Sequence, residues 1–94
     1  MKVGNVKMTA VVEAVAVESK CEDVKVGSRM VFEGPMLSFK KSTVSCCTAI
    51  VAMYPFVLAL RFDADPSAWG YPDKIIAQCP DHCSSVVFEI RRKE

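Results

Sequence analysis

The sequence has one histidine, no C-x-x-C pair and almost no net charge, and each shortage narrows what the chain can be. With His82 as the lone imidazole, most acid–base schemes have few players, and no set of nucleophile, base and orienting group can be read, so catalysis is left open. The missing C-x-x-C pairs set the chain apart from zinc ribbons. A formal charge of +1, with a closing RRKE too short to track a phosphate backbone, leaves no nucleic-acid footprint. No linker, internal repeat or low-complexity stretch interrupts the 94 residues, which have material for one core and are expected to form a single domain, 1–94.

Long charged stretches are also missing, and one uncharged segment, STVSCCTAIVAMYPFVLAL from Ser42 to Leu60, stands out. About 20 apolar residues cross a bilayer. This run carries Ser45, Thr48, two cysteines and Pro55, and reads instead as a central helix of a globular domain. No membrane association is expected. Ser42, Thr43 or Ser45 can cap its start. Pro55 lacks an amide hydrogen and clashes with the preceding turn, which predicts a broken or kinked helix, apolar on nearly all sides.

Around that helix the pattern is one of strands. From Val3 to Val17, β-branched residues dominate, and Val6, Met8, Ala10, Val12 and Ala14 share one face with period two; a bulge is expected near Val11–Val12. RMVFEGP is a short strand closed by Gly34 and Pro35, and DADPSAWGYPD is a loop. KIIAQC and VVFEIRR are strands joined by CPDHCSS. Ile75, Ala77 and Cys79 share a face, as do Val86, Phe88 and Ile90, and Pro80–Asp81 suits a chain reversal that places Cys79 inward and leaves His82 in the polar loop. The order predicts an α+β domain, a small antiparallel sheet of about four strands (β-β-α-β-β) on one broken or kinked helix.

What is abundant is cysteine. Five in this length cannot all pair within one molecule. The opening MTAVVEAVAVE is interrupted by Glu13, unlike the apolar core of a secretory signal, so a cytoplasmic protein with reduced thiols is expected.

The blocks KVGSRMVFEG after Cys21, CCTAIVAMYPFVLALRF, Trp69 and CPDHCSSVVFEIRR resemble a family of short, uncharacterised cysteine-containing proteins of bacteria and archaea with "ALYP…ALRF" and "CPD…VVFEIRR" blocks. The resemblance covers almost the whole chain. It implies the same fold and draws attention to Cys21, Cys47 (or Cys46) and Cys79, which stand at matching positions. The family's early cysteine is typically followed by proline, with a histidine often before KVG; here Glu22 and Val24 occupy those places, which removes one possible ligand.

Zinc or an iron–sulfur cluster needs three or four soft ligands gathered from separate segments. Cys21, Cys46, Cys47, Cys79, His82 and Cys83 are the candidates, all expected at ends of elements. Adjacent Cys46 and Cys47 point about 100° apart on a helix, so only one of them is expected to join a site. A thiolate there gains from the amides of the first turn, which makes either residue a candidate reactive group. The alternative for each cysteine is burial as a small hydrophobe, and for His82 simple exposure.

The remaining polar residues have simpler explanations. Asp63, Asp65, Asp73 and Asp81 read as solvated loop acids, and Arg61 suits the helix C-terminus. Trp69 and Tyr71 would either edge a pocket or lie over the core. Two functions follow: a small intracellular thiol protein that binds a metal ion or cluster or offers a reactive thiol, or a noncatalytic interaction module forming a homo-oligomer through its apolar helix and first strand.

Overall fold

The computed structural model describes residues 10–80 and 84–93. Its elements are β1 (Val11–Ser19), β2 (Arg29–Glu33), β3 (Met36–Leu37), α1 (Cys47–Arg61), a 3-10 turn (Pro66–Trp69), β4 (Ile75–Gln78) and β5 (Val86–Lys93). The strands form one antiparallel sheet in the order β3-β2-β1-β5-β4. The α+β class and antiparallel pairing are as expected, but there are five strands rather than four. The additional strand is β3: Gly34, at a positive φ of 58°, turns the chain after β2, and two residues pair back through Phe32↔Leu37 and Glu33↔Met36. Two residues carry no periodicity that a sequence reading could detect.

Period-two alternation builds the core. Val12, Ala14 and Ala16 of β1, Met30 and Phe32 of β2, Ile75 of β4 and Val86, Phe88 and Ile90 of β5 are buried on one face, where α1 crosses β1, β5 and β4. The expected bulge near Val11–Val12 lies instead at Val17, where the register slips between Ala16↔Phe88 and Glu18↔Val87. Val3 to Thr9, assigned to the first strand by pattern, fall outside the described residues.

The other face carries the charges. Glu13 lies between Arg29 (3.8 Å) and Lys93 (3.5 Å), and Glu89 between Lys74 (3.5 Å) and Arg91 (2.8 Å), with Val11 and Val15 interleaved. Such pairs contribute about 0–1 kcal/mol each. Because β1 is paired on both edges, a neighbouring chain could meet it only through this charged face.

The helix departs from expectation in two ways. It is one continuous helix through Pro55, not a broken one. Its buried stripe is Ala49, Met53, Val57 and Leu60, while Val51, whose carbonyl would have bonded the missing amide of residue 55, is exposed, as is Pro55 itself. The lost bond therefore falls on the solvent side of the helix. Second, no hydroxyl caps its start: Cys46 is the N-cap and makes no side-chain capping bond. Ser42 and Thr43 are used elsewhere, accepting hydrogen bonds from the amides of Val31 (2.9 Å) and Arg29 (2.9 Å) along the outer edge of β2.

The C-terminus of α1 is finished more fully. Asp63 takes a left-handed conformation (φ 71°), its amide donates to the Leu60 carbonyl (3.1 Å), and the Ala64 amide donates to that of Ala59 (3.0 Å), which is a Schellman arrangement with aspartate where glycine is usual. Arg92 of β5 adds Nε to the Leu60 carbonyl (2.9 Å) and Nη2 to that of Ala64 (3.1 Å). Among the described residues no helix is long and apolar enough to cross a membrane.

Candidate thiol site at one end of the sheet

The cysteine-bearing segments meet at the end of the sheet where β1 and β4 finish and β5 and α1 begin. Ser19, Val86 and Cys79 form one row across β1, β5 and β4: Ser19 is opposite Val86, and the Cys79 amide donates to the Val86 carbonyl (2.8 Å). One step further, the Lys20 amide donates to the Ser85 carbonyl (2.8 Å), which brings the start of the Cys21 loop beside β5. The Ser19 hydroxyl shapes that loop, accepting from the Cys21 amide (3.1 Å) and donating to the Val24 carbonyl, so that Val24 is buried.

Each described thiol has a distinct setting. Cys79 is 4% exposed and belongs to the core, as its shared face with Ile75 predicts. Cys21 and Cys46 are half-buried and pack against that core. Cys47 is exposed. Cys46, the extended N-cap residue, is the more buried of the pair, and Cys47, the first residue of the helix, is the more exposed. All four are free thiols.

Cys47 opens onto a shallow groove of about 430 Å³ lined by Thr48, Val51, Ala52 and Pro80. Among the described residues, its walls offer hydrocarbon surface, one hydroxyl and one thiol, with no charge. The sequence reading did not single out this groove, although its helical half could have been found: Val51 and Ala52 lie four and five positions after Cys47 on one side of α1, and Val51 is 71% exposed. Pro80 could not, because only the tertiary fold sets the end of β4 against the start of α1.

Among the described residues, no three His, Cys, Asp or Glu side chains converge to hold a metal ion. His82 and Cys83, the other candidates, lie outside the described residues, as does the placement of His82 in the loop. Asp81 lies outside them too, so a three-ligand centre built on Cys21, Cys46, Cys47 or Cys79 needs a residue beyond the described ones.

The lesser candidates have structural roles. Asp65 caps the 3-10 turn, accepting from the Ser67 amide (2.9 Å), and that bond holds its carboxyl below the ordinary value of 3.8. Asp73 lies 3.9 Å from Arg91, and the Arg61 guanidinium stacks over Phe62 at 4.9 Å. Trp69 and Tyr71 are exposed near the start of β4, at the opposite end of that strand from Cys79, with Lys74 over the Tyr71 ring at 5.4 Å. They do not line the groove.

No protein-family model, curated protein or solved structure matches the chain.

Proposed function

We propose that the chain is a small intracellular thiol protein that works through the end of the sheet where Cys21, Cys46, Cys47 and Cys79 gather, with Cys47 as the accessible group. The observation that carries this reading is the contrast in setting: three thiols are wholly or partly taken up by the core, while Cys47 stands exposed at the first turn of α1 beside an uncharged groove. An exposed thiol next to apolar surface suits a ligand with a soft, thiol-reactive centre and a hydrocarbon body, which the groove would hold while the sulfur bonds. A reducing compartment keeps such a thiol available.

The same end of the molecule is the place for a metal ion, zinc or an iron–sulfur cluster, with Cys21, Cys79 and Cys46 or Cys47 completed by His82 or Cys83. Two measurements separate these forms. Alkylation of the native protein, followed by peptide mapping, should label Cys47 well before Cys79; equal rates would remove the reactive-thiol reading. Elemental analysis after purification without chelator should show a stoichiometric metal if the centre exists. A metal-free protein whose thiols all react alike would end both.

A second reading is that the chain acts as a homo-oligomeric interaction module, favoured by the outer side of α1, where Val51 and Tyr54 are exposed and no charge occurs from Cys47 to Leu60. Light scattering tests it, and strictly monomeric protein would count against it.

A further inference from the structure

The outer edge of β4 is open in a way that the rest of the sheet is not. The Cys79 amide bonds to the Val86 carbonyl, so in an antiparallel ladder Ile75, Ala77 and Cys79 turn their backbone groups toward β5, whereas Ile76 and Gln78 turn theirs outward. Among the described residues, neither Ile76 nor Gln78 has a partner on that outer side. Their side chains are exposed, and apart from its shortness the strand lacks the devices that blunt an edge: from Ile75 to Pro80 there is no charge, no bulge and no proline within the strand. The thiol-bearing groove adjoins this edge, because Pro80, two residues beyond Gln78, faces Cys47, Thr48, Val51 and Ala52.

We infer that this edge and groove together form a two-fold interface between two copies of the chain, in which β4 pairs antiparallel with β4 of its partner about an axis through Ala77. The inference rests on the oligomeric reading above and names its surface. A register centred on Ala77 sets Ile76 opposite Gln78 of the other copy and the reverse, so each outward amide and carbonyl meets one of opposite kind. Lys74 then faces the partner's Pro80, which has no amide to leave unpaired, so the nearest charges are not brought against each other. The axis stands perpendicular to the joined sheet and puts both helices on the same side, which turns the two grooves toward each other. A second copy fits better than an unrelated extended peptide, because a peptide would use the edge alone. Stable interfaces bury about 1,200–2,000 Å² in total, beyond the reach of a four-residue strand without the helix face beside it.

The test uses the full chain, by light scattering at a fixed concentration, with three variants. Ile76→Pro removes an amide that the fold does not use inward, Val51→Lys puts a charge on a largely exposed helix position, and Ala77→Cys places two thiols across the axis at a separation suited to a disulfide. The expected result is a wild-type particle of twice the 10.4 kDa chain mass, halved by Ile76→Pro and by Val51→Lys with the circular dichroism spectrum retained. Mild oxidation of Ala77→Cys should give a covalent dimer in several-fold higher yield than wild type or Gln78→Cys. A wild-type chain of single mass overturns both the interface and the oligomeric reading. A dimer that survives Val51→Lys and gives no excess cross-link at Ala77→Cys overturns the β4 interface while the oligomeric reading stands.

Discussion

The two edges of the sheet are treated in opposite ways. Along β2, the chain closes its own ladder: Thr43 and Ser42 hydroxyls take the amides of Arg29 and Val31, the Thr43 amide returns to the Arg29 carbonyl (2.8 Å), the Ser38 amide goes to the Val31 carbonyl (2.8 Å), and Glu33 pairs with Met36. Lys41 adds an ion pair to Glu33 at 2.8 Å. Along β4, the equivalent groups of Ile76 and Gln78 meet nothing among the described residues. An edge can thus be satisfied from within by a short polar segment, and where that segment is missing the backbone itself becomes a recognition surface.

The sharpest way to break the contrast is the same substitution on both edges. Val31→Pro removes a used donor at a position only 5% exposed and should lower stability by about 3 kcal/mol or more, whereas Ile76→Pro should lower the stability of the isolated chain by no more than about 1 kcal/mol. Chemical denaturation at a concentration that suppresses association measures both, and equal losses would erase the distinction. Ser42→Ala, which strands the Val31 amide while keeping the chain path, should cost about 1–2 kcal/mol in the same assay. Asp63→Gly relieves a left-handed aspartate at the end of α1, remote from both edges, and should raise stability by up to about 1 kcal/mol less the weak Arg92 contact at 3.7 Å; a loss would show that contact to matter more than the backbone.

The smallest effect belongs to the segment leading into the open edge. The Asp65 carboxyl is lowered below 3.8 by the Ser67 amide, so its stabilising contribution is present above that value and fades as pH falls through the folded-state one. Melting curves of wild type and Asp65→Asn should accordingly differ near neutral pH and converge in acid. A constant gap across the range would mean that the bond is not electrostatic in origin.

Much of this arrangement was readable before any coordinates. Alternation placed Val86, Phe88 and Ile90 on one face and turned Cys79 inward with Ile75, and the uncharged run from Ser42 contained the helix. What was not readable depended on distant partners. Ser42 and Thr43 look like helix caps to local logic, yet they serve a strand 11 and 14 residues away. Pro55 looks like a break until the helix is seen to turn that position to solvent. For the candidate site, the expectation that only one of Cys46 and Cys47 turns inward was readable, but that the helix begins between them was not, and the approach of the Cys21 and Cys79 segments at one end of the sheet depends on β1 pairing with β5, which no residue spacing encodes.

That central pairing also governs how the protein can be made. β1 is the first strand described and β5 the last, and they lie side by side in the middle of the sheet, with Arg92 of β5 finishing the carboxyl end of α1. During synthesis the β1–β2 hairpin can assemble as soon as it emerges, but α1 then has only β1 to pack on, and its apolar stripe stays partly uncovered through residues 62 to 85, until the strand that completes its bed arrives. A nascent chain stalled just before Val86 would therefore be a client for a chaperone, and synonymous changes that slow translation across residues 62 to 85 should lower the yield of folded protein without altering a single side chain.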